Sequence, residues 1–94
     1  MNLQAQVALV TGASRGIGRA ILDALGREGA TVIGTATSDS GAEAISRHIA
    51  ESGFNGCGKK LSVNDNDAVE ALIKDIADQY APVAILVNNA GINI

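Results

Sequence analysis

Three glycines near the start of this 94-residue sequence and a polar cluster near its end have the types and spacing to do chemistry. The first group lies in "VTGASRGIGRAI", where Gly12, Gly16 and Gly18 space as G-x-x-x-G-x-G. Gly12 can take a sharp turn out of a strand, and Gly16 can let a backbone approach an anion closely. Gly18 can let a following helix pack tightly against that strand. The N-terminus of such a helix offers unpaired N–H groups and the positive end of its dipole, which suit a phosphate. This spacing differs from the more familiar G-x-G-x-x-G fingerprint. A tight strand-to-helix turn with no ligand would use the same glycines. Ser14, Arg15 and Ile17 share the loop, and Arg15 is either a phosphate partner or a solvated cation. The second group, Asn88-Asn89-Ala90-Gly91, follows the apolar run Val83–Val87. Asn89 can hydrogen-bond a ribose or the neighbouring backbone, and Ala90 and Gly91 leave room for a ligand, unless the four residues only make a turn.

Selectivity for one nucleotide is expected about 20 residues past the glycines, where an Asp or Glu would bind a free ribose 2′-hydroxyl. The sequence there is Thr35-Ala36-Thr37-Ser38, and the first carboxylate is Asp39. Hydroxyls can donate to a 2′-phosphate and Arg15 can pair with it, so the pattern favours NADP over NAD.

These residues need a frame, and the apolar pattern supplies one. Val7–Val10 and Val83–Val87 read as strands apolar on both faces, and Thr31–Thr35 as a β-branched strand. A helical stripe of Ile17, Ala20, Ile21, Ala24 and Leu25 stops at Gly29. A second helix, capped by Ser40, carries Ala42, Ile45 and Ile49 and stops at Gly53. Phe54–Lys60 reads as a glycine-rich loop leading to a weak strand near Lys60–Val63. A third helix, capped by Asn64 or Asn66, carries Val69, Leu72, Ile73, Ile76, Ala77 and Tyr80 and ends before Pro82. The order β-α-β-α-β-α-β implies a parallel sheet with helices on both faces. Right-handed crossovers put the first two helices on one face. If the fourth strand returns beside the first, the order is 3-2-1-4, the third helix lies on the other face, and a ligand site opens at the switch point between strands one and four.

Composition narrows the partners. The chain is 47% hydrophobic and 2% aromatic, with 11 glycines and one proline, as a folded α/β domain would be. A net charge of −3, with seven scattered cations, argues against a nucleic-acid surface. The apolar runs are far shorter than the ~20 residues that span a bilayer. No signal peptide is visible, and the single cysteine, Cys57, fits a reducing cytoplasm and reads as an incidental residue. His48 reads as solvated, and no cluster of metal ligands stands out.

Thr11-Gly12-Ala13-Ser14-Arg15-Gly16-Ile17-Gly18 together with Asn88-Asn89-Ala90-Gly91 resembles the short-chain dehydrogenase/reductase family. "VIGTATSDSGAEAIS" and "ILVNNAGI" are most similar to its bacterial 3-oxoacyl-[acyl-carrier-protein] reductase branch. The resemblance covers the whole chain but only the N-terminal part of a typical member. It implies a three-layer Rossmann-type half with a four-stranded parallel sheet, residues 1–94 being an NADP-binding N-terminal part that stops after the fourth strand. It also implies that Gly12, Ser14, Arg15, Gly16, Ile17 and Gly18 hold the pyrophosphate side. Thr37 would meet the 2′-phosphate, Ser62 and Val63 would border the adenine, and Asn89, Ala90 and Gly91 would meet the nicotinamide-side ribose. The implied reaction is hydride transfer from NADPH to a 3-oxoacyl thioester on acyl carrier protein, in fatty-acid biosynthesis.

The family's tyrosine acid, with its serine, lysine and asparagine, would follow the Asn-Asn-Ala-Gly motif. Tyr80 is not followed by a lysine four residues on, since position 84 is Ala, so no catalytic residue is assigned in this chain. Ser62 and Ala84 depart from the acidic or amide residues common at those places. The expected state is an inactive binding part whose fourth strand invites self-association or a strand-adding partner. The rival readings are a non-catalytic nucleotide-binding or interaction module and a nonfunctional remnant.

Overall fold

A computed structural model describes residues 2–89. Seven elements alternate: β1 (Val7–Val10), α1 (Gly16–Arg27), β2 (Thr31–Ala36), α2 (Asp39–Glu51), β3 (Asn55–Lys60), α3 (Asn66–Gln79) and β4 (Val83–Val87). The strands form one sheet in the order β3-β2-β1-β4, with every pairing parallel. The layering follows from the period-2 alternation of each strand. Ala8, Val10 and Val32 point to one face and pack with Leu22 of α1 and Ile45 and Ile49 of α2. Val7, Leu9 and Ile33 point to the other and pack with Leu72 and Ile76 of α3. The central strands are thus covered on both sides, which explains their unbroken apolar runs. No helix among the described residues is long and apolar enough to cross a membrane.

The four strands and their order match the sequence expectation, but several local features do not. The stretch expected as a loop, Phe54–Lys60, contains β3, which pairs with β2 from Thr31↔Asn55 to Ala36↔Lys60. The strand expected at Lys60–Val63 is therefore misplaced, although Leu61 N still donates to Ala36 O at 2.9 Å. Tertiary contact overrides the weak strand propensity of "NGCGKK". A Cβ on Gly56 would stand 1.8 Å from the carbonyl oxygen of Val32, so glycine is what allows β3 to lie so close to β2. Gly58 N also donates to the Ser46 hydroxyl of α2 at 2.8 Å.

The helix caps shift as well. Ser38, not Ser40, caps α2, its hydroxyl accepting from Gly41 N at 3.1 Å. Asp65, not Asn64 or Asn66, caps α3 by accepting from Ala68 N at 3.1 Å. On α1 the inward face is Gly18 and Leu22, with Ile21 and Leu25 half-buried, while Ile17, Ala20 and Ala24 are exposed. The expected stripe was rotated because glycine carries no hydrophobic signal. Gly18 and Gly26 nevertheless face inward, and a Cβ on Gly26 would meet the ring of Phe54 at 2.6 Å.

Candidate functional site

The turn from β1 to α1 is fastened to both neighbouring strands. On the β2 side, Gly12 N donates to the Thr35 hydroxyl at 3.3 Å and Ala13 N to the Thr35 carbonyl at 2.9 Å. On the β4 side, Thr11 N donates to Val87 O at 3.0 Å, and the Thr11 hydroxyl lies 3.2 Å from Asn88 Oδ1. The Asn89 side-chain amide donates to Gly12 O at 3.1 Å. Of the two partners open to Asn89 from the sequence, the structure shows the backbone. Five hydrogen-bonding groups, from β2, from β4 and from the two asparagines just past β4, therefore hold this turn in place. Thr35 is a clamp, a role the sequence did not show: there it read as a strand former or as a hydroxyl donor to a 2′-phosphate. It is 1% exposed and turned into the turn, so it is unavailable to a ligand's phosphate. A threonine ending a strand carries no signal that separates these roles.

Gly12 and Gly16 both have φ near +64°, a conformation that side chains with a Cβ seldom adopt. A Cβ on Gly16 would meet nothing within 4 Å, so the backbone there faces open space. Gly18 does the reverse: a Cβ would stand 2.1 Å from Gly12 O and 2.7 Å from Asn89 Nδ2. The close approach it permits is to the turn and to Asn89, rather than to the strand as the sequence suggested. At the N-cap of α1 stands Arg15, extended at φ −164°, with no side-chain cap and no acid in the first turn. Ser14, Arg15 and Ile17 are exposed around this helix end, Ile17 by 58%.

The other expected residues lie at the same edge of the sheet, because all four strands run parallel. Thr37 is exposed just past β2, and Ser62 and half-buried Val63 follow β3. Ala90 and Gly91 lie outside the described residues. Ala84 is exposed and falls where the β1–β4 register slips, Val7 pairing with Val83 and Ala8 with Ile85.

Two residues outside this edge make contacts that the sequence did not show. His48 is not solvated but bridges the helices: its Nε2 lies 2.5 Å from Asp23 Oδ1, and Arg19 Nη2 lies 2.8 Å from its Nδ1. Its spacing on α2 turns it toward α1, whose partners could not be known without the crossing of the two helices. Tyr80 caps the end of α3 and is 41% exposed, with its hydroxyl donating to Cys57 Sγ at 3.6 Å. That hydrogen bond is the main cause holding the Tyr80 phenol above its usual pKa, with desolvation and the Cys57 charge adding to it. Among the described residues no three His, Cys, Asp or Glu side chains gather as a metal site requires.

A parallel sheet in the order 3-2-1-4, with a glycine turn at its switch point and helices on both faces, is a Rossmann-type α/β architecture. The family follows from comparison: residues 6–94 match the family model described as short chain dehydrogenase, and the chain belongs to that family. Membership implies a nicotinamide dinucleotide as the cofactor. Among curated relatives, the chain is 58% identical over 92 residues to 3-oxoacyl-[acyl-carrier-protein] reductase FabG of Vibrio harveyi. It is 53% identical over 92 residues to the FabG reductase of Escherichia coli K12. Both matches take in 98% of this chain and 36% of the relative. A third, to the FabG reductase of Haemophilus influenzae, is 51% identical over 90 residues, 96% of this chain and 36% of the relative. The chain thus spans about a third of the length of the curated relatives it matches.

Proposed function

We propose that residues 1–94 form the NADP-binding N-terminal part of a 3-oxoacyl-[acyl-carrier-protein] reductase acting in fatty-acid biosynthesis in the cytoplasm. The observation that carries this reading is the uncapped N-terminus of α1, facing open space at Gly16 and held in place by Thr35 and Asn89. Its first-turn N–H groups and dipole would take the pyrophosphate, with Gly12, Ser14, Gly16, Ile17 and Gly18 around it. A Cβ at position 16 would stand in the open space the ligand needs. Arg15 and Thr37 would bind the 2′-phosphate. Thr35 is committed to the turn and Ser38 to capping α2, which leaves the Thr37 hydroxyl and the Arg15 guanidinium as the exposed donors there. Ser62 and Val63 would border the adenine, and Asn89, Ala90 and Gly91 the nicotinamide-side ribose. When bound, reduced NADP supplies a hydride to a 3-oxoacyl thioester on acyl carrier protein. The chain's own residues bind and orient it, and none is assigned as the proton donor. The outer edge of β4, which no described residue pairs, and Leu86, 55% exposed, support a strand-adding partner or a second copy.

Calorimetric titration of the chain with NADPH and NADH tests this. NADPH is expected to bind roughly tenfold tighter or more, the worth of one charge-assisted contact to the 2′-phosphate. Arg15→Ala should narrow that ratio. Equal affinities for the two dinucleotides would overturn the NADP assignment.

A further inference from the structure

Beside the dinucleotide turn, between α1 and α2, lies a cavity of about 160 Å3. Ser14, Arg19, Ala44, Arg47, His48 and Glu51 line it. Its two guanidiniums have no carboxylate within 4 Å among the described residues. This chain has ten acidic and seven basic side chains, so two arginines without a carboxylate partner around one cavity are not what its charge balance would give by default.

Arg19 is also pre-oriented. It donates one edge to His48 Nδ1 at 2.8 Å, so the ring carries its proton on Nε2 and gives it to Asp23 Oδ1 at 2.5 Å. His48 and Asp23 are only 22% and 25% exposed, so the chain of contacts is partly shielded from water. The Arg19 fork is thus fixed, with donors left over. Arg47, one residue before His48 on α2, brings a second fork to the same cavity. Asp23 is taken up by His48, leaving Glu51 as the one carboxylate lining the cavity.

We infer that this cavity is an anion site for a phosphoryl dianion, separate from the glycine turn. Two guanidiniums match its two charges, and their planar forks match its oxygens. A carboxylate, with one charge and two oxygens, would leave one fork unmet. The inference is independent of which dinucleotide the glycine turn takes.

The test is a titration of the chain with inorganic phosphate at constant ionic strength, followed by amide NMR. Saturable shifts are expected at Arg19, Ala44, Arg47 and His48. Arg19→Gln and Arg47→Gln should each weaken binding about tenfold, as loss of one charged hydrogen-bonding partner does. Glu51→Gln should tighten it. Ala44→Glu, at an exposed helix position where a carboxylate does not endanger folding, should abolish it. With NADP saturating the turn, the shifts at Arg19, Arg47 and His48 should persist. Shifts confined to residues 12–18, or lost with Arg15→Gln, would overturn the inference and give the phosphate to the dinucleotide turn. So would linear shifts without saturation, the mark of general ionic screening.

Discussion

Gly12 sits in the turn from β1 to α1 and Gly16 and Gly18 in the first turn of α1, whereas Gly56 and Gly58 sit inside β3. Both stretches are small, polar and glycine-rich, and in the sequence they look alike. In the turn, Gly16 faces open space, with nothing within 4 Å of where its Cβ would be. In β3, a Cβ on Gly56 would lie 1.8 Å from Val32 O, and one on Gly58 would lie 2.1 Å from Ala42 O. One glycine keeps space open above a helix end. The others remove space so that β3 can close on β2 and α2 can close on β3. Gly18 belongs with the second kind although it sits in the first stretch, since its missing Cβ lets Gly12 and Asn89 close over it. What a glycine does is therefore decided by what faces it, not by how many glycines stand near it.

The sharpest way to break this contrast is substitution at Gly56. Its φ of +133° and the contact with Val32 O are both incompatible with a side chain, and the obstacle is backbone that cannot rotate away. Gly56→Ala should destabilise the chain by about 3–4 kcal/mol in chemical denaturation, enough to unfold a marginal domain. A loss below ~1 kcal/mol would mean that β3 is held loosely and that the loop reading was nearer the truth.

Gly16 and Gly18 offer a paired test within the turn. Gly18→Ala should lower stability by about 2 kcal/mol, because its methyl group must push apart the Gly12 carbonyl and the Asn89 amide. Gly16→Ala should lose only about 1 kcal/mol, the cost of a positive φ for alanine. Yet Gly16→Ala should weaken dinucleotide binding at least as much as its stability loss would suggest, since its methyl group enters the open space. Calorimetry with NADPH beside a denaturation curve separates the two effects. If Gly16→Ala binds as the parent does, the space above it is not the pyrophosphate site.

Much of this was legible in the sequence. Three apolar or β-branched runs and the helical periods pointed to a parallel sheet, with the order 3-2-1-4 if the last strand returned beside the first, because parallel sheets covered on both faces leave unbroken apolar strands such as Val7–Val10. The turn could be read because its glycines fall between a strand and a helix. What could not be read depended on contacts from distant elements. β3 is held by Val32, Ala36 and Ser46, none of them local to it. The inward face of α1 runs through Gly18, which carries no hydrophobic signal. Thr35 is chosen as the clamp by its place opposite Gly12, and His48 by the crossing of α1 over α2.

A third test compares helix ends. Ser38 and Asp65 cap α2 and α3, each with an acid in the first turn, whereas α1 begins at Arg15 with neither. Ser38→Ala should lower stability by about 1 kcal/mol. Arg15→Asp should do the opposite, adding up to about 1 kcal/mol, since Arg15 already has the extended backbone of a cap. The same change should abolish measurable NADPH binding by setting a carboxylate against the phosphates. A variant that is more stable but binds less would show that α1 is left uncapped for its ligand. If Arg15→Asp gains no stability, the first-turn N–H groups are already satisfied and the helix end is not held in reserve.

The smallest effect reports on β3 itself. Cys57 lies between Gly56 and Gly58, and its sulfur accepts the Tyr80 hydroxyl at 3.6 Å. Such a contact exists only if β3 is ordered against the end of α3. It raises the Tyr80 pKa above the ordinary value near 10. Because the folded chain then holds the phenol proton more tightly than the unfolded chain, the associated stability is present in full below about pH 10. It is lost as pH rises through the higher folded value. Tyr80 is largely exposed, so the stability change is small, but the titration is clean: the chain has one tyrosine and no tryptophan. The phenolate absorbance should rise at a higher pH in the folded chain than in urea, and Cys57→Ala should bring the two curves closer together. Coincident curves for the parent chain would place Cys57 away from Tyr80, and the middle of β3 away from the end of α3.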